Sequence, residues 1–362
     1  MADVQSEWPV VEVAALSDLD ARPGDPVRTV YLRPLEGGYE VLLRGAGQVH
    51  AARAVAGEVT AWAVAQGGAV ADHVALLLGR LAHPPTAFAG QMLDRPLVMG
   101  IVNVTPDSFS DGGETPDAAA AIERGLAMRA AGADILDIGG ESTRPGAAPV
   151  SQAEEARRVL PVIGALAGAG AVVSVDTRHA ATMVAAGDAG ARMINDVTAL
   201  AGDPDSLVVA AGCQMPVILM HMQGEPRTMQ ADPRYACAPL DVYDFLAERI
   251  DACEAAGIRR ADIAVDPGIG FGKTVAHNLH ILARLSVLAA LGCPIVLGVS
   301  RKSFIARLGR NEPPARRLGG SLAAALAGIA QGAHILRVHD VAETHQAVAT
   351  WTAIHCGEDR RS

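Results

Sequence analysis

The run Ile263-Ala264-Val265 is short and apolar, and it stops at Asp266, a side chain able to take part in chemistry. Seven further runs of this kind lie in the last three quarters of the chain, at residues 98–102, 134–136, 172–175, 192–194, 217–220, 295–299 and 334–338. Each also stops at a polar residue, and these residues are Asn103, Asp137, Asp176, Asn195, His221, Ser300 and His339. Short runs rich in Val, Ile and Leu are typical of buried parallel strands.

Segments with helical periodicity separate these runs, so strand and helix alternate eight times. We expect helices at residues 117–131, from 151 onward, and at 179–189, 204–212, 240–256, 275–291, 302–308 with 316–331, and 341–355. Ser151 and Glu154 predict a capping box at the start of the second helix. The alternation predicts an α/β fold, a closed (β/α)8 TIM barrel, in which the polar stops converge at one mouth. Any single stop has a second interpretation, since Asp, Asn and Ser also cap helices.

The barrel is predicted for residues 91–357, and residues 1–90 form a small N-terminal α+β appendage whose role the sequence does not reveal. Two runs flanking Glu36-Gly37-Gly38 predict a β-hairpin, at residues 29–35 and 39–44. Two segments with helical spacing follow, at residues 49–66 and 70–81. Pro84 and Pro85 then mark a linker into the barrel.

The composition limits the classes of partner. The 362 residues carry a formal net charge of −10, which argues against broad nucleic-acid or anionic-membrane binding. Five cysteines without a Cys-x-x-Cys pair predict reduced thiols. The first 13 residues lack the features of a signal peptide, and no apolar stretch is long enough to span a membrane, so we expect a cytoplasmic protein.

Lysine usage singles out two positions. Of the 30 basic residues 28 are Arg, and the two lysines are Lys273 and Lys302. Both follow predicted strand ends, which places them at the expected mouth. An ammonium is a compact donor with three rotatable protons, which a planar guanidinium cannot imitate in a tight polar site. The two lysines are therefore candidate functional residues.

Polar motifs follow the predicted strands in a fixed order. The first four are Asn103-Val104-Thr105-Pro106-Asp107-Ser108-Phe109-Ser110-Asp111, Gly139-Gly140-Glu141-Ser142-Thr143-Arg144-Pro145-Gly146, Ser174-Val175-Asp176-Thr177 and Ile194-Asn195-Asp196. The others are Leu219-Met220-His221-Met222, Asp266-Pro267-Gly268-Ile269-Gly270-Phe271-Gly272-Lys273, Ser300-Arg301-Lys302-Ser303 and Ile335-Leu336-Arg337-Val338-His339-Asp340. Across residues 97 to about 355, this ordered set resembles the dihydropteroate synthase family of the folate pathway.

The resemblance implies a transferase that joins 4-aminobenzoate to 6-hydroxymethyl-7,8-dihydropterin pyrophosphate and releases 7,8-dihydropteroate and pyrophosphate. It also implies a homodimer, a Mg²⁺ cofactor with Asn103 as one ligand, and competition by sulfonamides. The predicted catalytic residues are Asp176, Asp266, Lys302, Arg337 and His339. The predicted substrate-binding residues are these five with Asn103, Asp137, Thr143, Arg144, Pro145, Asn195, Met220, Phe271 and Ser300.

The roles follow from the charges that the reaction develops. Carbon–oxygen cleavage makes the pterin cationic, so Asp176 and Asp266 should bind its N–H donors and stabilise that charge, with Asn195 and Lys302 at its mixed edge. Arg337 and His339 should meet the leaving pyrophosphate. The resemblance implies that aminobenzoate lies among Thr143, Arg144, Pro145, Phe271 and Ser300. Asp137 is expected to act as a supporting acid.

Other interpretations of these motifs are weaker. Gly272-Lys273-Thr274 lacks the preceding P-loop glycine, because Pro267 occupies that position, and the spacing of the glycines does not match a dinucleotide fingerprint. A hydrolytic metal centre would need more His ligands. A pterin-dependent methyltransferase shares the acids and amides but has no use for a pyrophosphate site. A non-catalytic pterin-binding homologue would not need Asn103, Lys302, Arg337 and His339 together.

Overall fold

The computed structural model describes residues 10–20, 29–45, 48–104, 116–141, 150–225 and 228–356. The first part of the chain forms a four-stranded sheet with two helices. Its strands are β1 (Val10–Glu12), β2 (Val30–Leu35), β3 (Gly38–Arg44) and β4 (Val49–Ala54), in the order β1-β4-β3-β2. The helices are α1 (Ala56–Gln66) and α2 (Gly68–Ala82), and a 3-10 turn covers Leu16–Asp18.

The predicted hairpin is confirmed. Leu35 of β2 lies opposite Gly38 of β3, and Gly37 in the turn between them has a φ of +78°, which glycine adopts readily. The prediction of one helix over residues 49–66 is wrong for its first six residues, which form β4. Pairing with β3 on one side and β1 on the other outweighs the helical preference of the alanines there.

Eight parallel strands follow, as predicted. They are β7 (Leu97–Asn103), β8 (Ile135–Gly139), β9 (Val173–Asp176), β10 (Met193–Asp196), β11 (Val217–Met220), β12 (Ile263–Asp266), β13 (Val296–Leu297) and β14 (Ile335–Val338), preceded by a hairpin of β5 (Ala87–Phe88) and β6 (Gln91–Met92). The barrel strands are hydrogen-bonded in the order β12-β11-β10-β9-β8-β7-β14-β13. A bridge between Val265 and Ile295 joins β12 to the residue before β13 and closes the TIM barrel.

The outer helices match the periodicity, with local differences. They are α3 (Pro116–Ala130), α4 (Gln152–Gly168), α5 (Ala180–Asp188), α6 (Ser206–Cys213), α7 (Ala238–Ala255), α8 (Val275–Ala283), α9 (Ser303–Leu308), α10 (Leu318–Ala330) and α11 (Val341–Cys356). The helix expected over residues 275–291 is divided into α8 and a 3-10 helix, Leu285–Leu291. The Ser151 hydroxyl caps α4 through the Glu154 N–H as predicted, but the Glu154 carboxylate binds Arg157 and Arg158 instead of completing the capping box. In the described part of the chain, no helix has the length and apolarity that crossing a membrane requires.

The hairpin of β5 and β6 closes the amino-terminal end of the barrel. Phe88 is buried in a cluster with the side chains that begin the strands, namely Leu97, Met99, Ile135, Met193, Ile218, Ala264, Val296 and Ile335. Phe88 therefore belongs to the barrel core, although it precedes residue 91. Because this end is filled with apolar side chains, polar chemistry is restricted to the opposite, carboxyl-terminal end.

The appendage packs on the outside of the barrel, against α7 and the 3-10 helix Leu285–Leu291. The Tyr31 hydroxyl donates to both carboxylate oxygens of Asp244, at 2.9 and 3.1 Å. Arg44 forms ion pairs with Asp241 at 3.0 Å and with Asp244 at 3.2 Å. On the same face, Arg80 donates to the carbonyl of Ala290. These contacts join β2, β3 and α2 to the barrel segments that follow β11 and β12.

Candidate active site

The polar strand ends converge, and register keeps them together. Asp176 at the end of β9 lies beside Asn195 of β10, and Met220 at the end of β11 lies beside Asp266 of β12. In the same way, Asn103 of β7 lies beside Gly139 at the end of β8. Because parallel strands end at one edge, each run brings its polar residue to the same mouth.

The centre of the site is an arginine held between two carboxylates. Arg337 of β14 donates from Nε to Asp137 Oδ2 and from Nη2 to Asp176 Oδ2, both at 2.6 Å. Burial alone would lower the pKa of Arg337, but Asp137 and Asp176 raise it above its ordinary value, so the guanidinium stays charged. Burial raises the pKa of Asp176 to about 7, Arg337 opposes that rise, and Asp137 adds to it. Asp176 therefore titrates near neutrality.

Asp137 also fixes the amide of Asn195. Asp137 is fully buried, and its Oδ2 accepts from Asn195 Nδ2 at 3.0 Å as well as from Arg337. Because the amide nitrogen is directed at a carboxylate, the Asn195 oxygen is the atom left to accept a hydrogen bond from a ligand. Asp137 thus links Arg337 to Asn195, and the supporting role that the sequence predicts for it stays a prediction.

Asp266 and Lys302 occupy the other side of the mouth. The Asp266 carboxylate accepts the Gly268 N–H at 2.7 Å, and burial raises the pKa of Asp266 although Lys302 and Arg337 oppose this. Burial lowers the pKa of Lys302 to about 8, with Asp266 acting in the opposite direction. Lys302 Nζ lies 4.2 Å from the centroid of the Phe271 ring, within cation–π distance. This side thus combines a carboxylate, an ammonium and an aromatic face.

The ends of β13 and β14 meet through Ser300 and His339. Ser300 Oγ accepts the backbone N–H of His339 at 3.1 Å and lies 3.1 Å from His339 Nδ1. Burial, followed by the charge of Arg337, lowers the pKa of His339 to about 3, so the ring is neutral at pH 7. Since Ser300 can donate its proton to Nδ1, the ring proton is expected on Nε2, where it can serve as a donor to an anion.

Two of the predicted residue groups need separate comment. Thr143, Arg144 and Pro145 lie outside the described residues, so their predicted contact with aminobenzoate is untested. Lys273 lies past the end of β12 as predicted, and its side chain is buried against His221, the polar residue that follows β11.

The donor set bears on the predicted metal. No group of three or more His, Cys, Asp or Glu side chains able to hold a metal occurs among the described residues. Asn103 is half-buried at the end of β7, and no described side chain hydrogen-bonds its amide. One amide oxygen together with water and phosphate oxygens suits Mg²⁺, which keeps most of its hydration shell. The described residues of the site therefore fit an ion that arrives with a phosphate ligand, and they do not form a protein-only metal cage.

Some features of the site could not be inferred from single motifs. The pairing of Arg337 with Asp137 and Asp176 joins residues 200 and 161 positions apart. Glu155 of α4 is buried and accepts from the hydroxyls of Thr177 and Thr182, which fixes the turn after Asp176. Its position in an amphipathic helix gave no signal beyond its place in the first turn.

Comparisons with known proteins indicate one family. The family model described as pterin binding enzyme matches residues 99–339. The dihydropteroate synthase of Escherichia coli strain K12 is 48% identical over 257 residues, covering 71% of this chain and 90% of that protein. The residues before 99 lie outside the family match.

Solved structures give the same result. A dihydropteroate synthase from Xanthomonas albilineans with 4-aminobenzoic acid is 50% identical, with a TM-score of 0.69, and the match covers 73% of this chain and 94% of that one. The enzyme from the same organism in complex with 7,8-dihydropteroate is 47% identical, with a TM-score of 0.67, and the match covers 73% and 95%.

Proposed function

The chain belongs to the pterin binding enzyme family, within the dihydropteroate synthases, and on that premise we propose how its own residues carry out the reaction. It condenses 6-hydroxymethyl-7,8-dihydropterin pyrophosphate with 4-aminobenzoate to give 7,8-dihydropteroate and pyrophosphate. The assignment of roles rests on one cluster of contacts. Arg337 binds Asp137 and Asp176, and Asp137 also binds Asn195. Asp266 and Lys302 lie at the same mouth.

The pterin binds against Asp176, Asn195 and Asp266. A pterin edge presents amino and ring N–H donors with a carbonyl acceptor, so two carboxylates and an amide oxygen match the donors, while Lys302 matches the carbonyl. The orientation of the Asn195 amide, fixed by Asp137, supports this arrangement. Asp176 and Asp266 are in place before the carbon–oxygen bond breaks, so they stabilise the developing cation without reorganisation.

The leaving pyrophosphate meets Arg337, neutral His339 and Asn103. The Nε and Nη2 donors of Arg337 already bind two carboxylates, so it contributes mainly positive charge and its remaining donors. His339 donates from Nε2. Mg²⁺ held through the Asn103 oxygen would neutralise part of the negative charge that develops on the pyrophosphate.

The amine of 4-aminobenzoate acts as the nucleophile and needs chiefly to be held in line with the bond that breaks. We place it between the Phe271 ring and Ser300, with Thr143, Arg144 and Pro145 completing the pocket and Met220 below. The contact of Lys302 with Phe271 supports a shared wall between the two substrate pockets. A sulfonamide, as a mimic of aminobenzoate, should compete there, and an inhibition pattern that is not competitive with aminobenzoate would contradict this placement.

Pyrophosphate release tests the assignment directly. The purified protein with Mg²⁺ should release pyrophosphate only when pterin pyrophosphate and aminobenzoate are both supplied. No release at saturating substrate would refute it. For the metal, Asn103→Ala should raise the Mg²⁺ concentration needed for half-maximal release, and an unchanged requirement would remove Asn103 as a ligand.

The oligomeric state and the location in the cell stay predictions. Analytical ultracentrifugation of a homodimer should give a molar mass twice the 37.3 kDa of the chain, and a monomer at micromolar concentration would contradict this prediction. Cell fractionation tests the cytoplasmic location.

A further inference from the structure

Lys273 makes buried polar contacts that have no part in the reaction described above. Its side chain is 3% exposed, and Nζ lies 2.8 Å from His221 Nδ1, 3.3 Å from the His221 carbonyl oxygen and 3.0 Å from the Phe271 carbonyl oxygen. No described carboxylate lies within ion-pair distance of Nζ. A lysine buried in this way costs desolvation energy, so its retention needs a reason beyond burial.

The three partners belong to two different loops. His221 follows β11, and Phe271 lies in the loop that follows β12. These loops are in close contact, since a Cβ at Gly268 would lie 1.9 Å from the His221 oxygen and one at Gly272 would lie 2.4 Å from the Gln223 oxygen. Lys273 lies two residues after Phe271, and its Nζ joins the two loops by contacting both His221 and the Phe271 carbonyl oxygen.

Of the residues that Lys273 contacts, Phe271 is the one whose side chain lies against the active-site residue Lys302. Lys302 Nζ lies 4.2 Å from the centroid of the Phe271 ring, and Lys273 Nζ donates to the Phe271 carbonyl oxygen. The His221 ring packs edge-on against Phe245 of α7, with 4.9 Å between the centroids, so it gives Lys273 a rigid partner. A displacement of the Phe271 carbonyl would therefore move the ring relative to Lys302.

The chemistry of the contact explains why this position is a lysine in an arginine-rich chain. Two carbonyl oxygens and one imidazole nitrogen surround Nζ, which suits a compact amine with rotatable N–H groups and not a planar guanidinium. Burial lowers the pKa of Lys273 well below its ordinary value, although Asp266 opposes this, and burial with the charge of Lys273 lowers the pKa of His221 to about 2. A neutral amine would still donate to both carbonyls and accept from Nδ1–H, so the contact survives in either protonation state of Lys273.

We propose that Lys273 is a positioning residue for 4-aminobenzoate, acting by holding the Phe271 carbonyl against the His221 loop so that the Phe271 ring stays in the aminobenzoate pocket. It touches neither substrate. The inference rests on the place given to Phe271 in the proposed function.

The test is steady-state kinetics on the full chain with Lys273→Met, which keeps much of the bulk and removes the donors. The KM for 4-aminobenzoate should rise about tenfold, the equivalent of one lost hydrogen bond, while the KM for pterin pyrophosphate and kcat change less than about threefold. Tyr235→Phe is the matched control, because the Tyr235 hydroxyl donates to the Gly272 carbonyl in the same turn without holding Phe271. That variant should leave the aminobenzoate KM within about twofold.

A double-mutant cycle separates positioning from general loosening. If Lys273 acts through Phe271, Phe271→Ala should raise the aminobenzoate KM, and adding Lys273→Met should raise it no further. Additive effects in the double variant, or equal rises in Tyr235→Phe and Lys273→Met, would overturn the inference. If Lys273→Met does not fold, the same cycle is run with Lys273→Gln, which keeps one amide donor group and should give a smaller rise.

The cycle also distinguishes this inference from the proposed function. An unchanged aminobenzoate KM in Phe271→Ala would refute the place given to Phe271, and the inference with it. A rise in Phe271→Ala without a rise in Lys273→Met would refute the inference alone.

Discussion

Arg337 Nη2 donates to Asp176 Oδ2 at 2.6 Å, which joins the last strand of the barrel to the third. The same guanidinium binds Asp137 of the second strand through Nε. Two carboxylates thus share one cation in a buried site, so above the pKa of Asp176, about 7, the group carries excess negative charge where the pterin is proposed to become cationic. That balance determines how the site should respond to pH and to substitution.

The rate should depend on pH through Asp176 and Lys302. Asp176, whose pKa is raised to about 7 by burial, faces Arg337, Asp137, Glu155 and Asp196. Asp176 must be ionised to stabilise the cation that develops on the pterin, so kcat/KM for pterin pyrophosphate should rise as pH increases through about 7. Lys302, whose pKa burial lowers to about 8, loses its proton above that pH, so the rate should then fall. A pH–rate profile checks both limbs, and persistence of the acid limb in Asp176→Asn would assign it to another group.

Replacing Arg337 with Met should destabilise the fold. Two buried carboxylates lose their counter-charge, and breaking such a pair costs about 3–5 kcal/mol. The folded-state pKa of Asp176 is already raised and should rise further, so the folded state binds its proton more tightly than the unfolded state does. The loss should therefore be full above the pKa that Asp176 has in the variant and should shrink as pH falls towards about 7, its pKa in the parent protein, below which Asp176 is protonated in both.

Urea denaturation at pH 8 and pH 5 measures this loss. The control is Arg259→Met, which breaks an exposed pair with Asp262 and should cost within about 0.5 kcal/mol at either pH. Equal losses for Arg337→Met at the two pH values would mean that the carboxylates do not determine the effect.

Lys302→Arg should lower kcat/KM by about a hundredfold although the charge is kept, which corresponds to about 2.7 kcal/mol of transition-state stabilisation. A Cβ at Gly270 would lie 3.3 Å from Lys302 Cδ, so the wall beside the lysine leaves little space for a longer, planar group. Initial rates with both substrates varied would give the result. Near-normal kinetics would contradict a specific need for an ammonium, and Arg259→Lys on the exposed surface serves as the exchange that should have no effect.

Tyr31→Phe should weaken the attachment of the appendage. The lost hydroxyl leaves a half-buried Asp244 with one donor fewer, at a cost of about 1–3 kcal/mol. Tyr39→Phe in the same sheet is the control, because no described residue hydrogen-bonds its hydroxyl. Chemical denaturation monitors stability, and kinetic constants should stay unchanged in both variants, since the contact lies on the outside of the barrel. A loss of activity in Tyr31→Phe alone would instead connect the appendage to the site.

The sequence predicted the barrel and the meeting of polar strand ends at one mouth because both depend on local signals. Short apolar runs ending at Asp176 and Asp266 define both the strands and the chemistry at their ends. The strand β4 was missed because its Ala-rich sequence has no strong local preference and becomes a strand only by pairing with β1 and β3.

Long-range contacts were beyond the sequence for the same reason. The two carboxylate partners of Arg337 and the His221 partner of Lys273 lie far along the chain, so a motif could identify Arg337 and Lys273 as unusual but could not say what they touch. For Arg337, the motif suggested a phosphate ligand, whereas its contacts within the protein are two carboxylates. Its part in binding pyrophosphate stays a prediction.

Phe88 closes the amino-terminal end of the barrel. Among the described residues, this end of the barrel is filled, so two substrates should enter and two products should leave at the carboxyl-terminal mouth. Because dihydropteroate would occupy both proposed pockets, it must leave before another pterin can bind. Its release should therefore limit the rate of repeated turnovers.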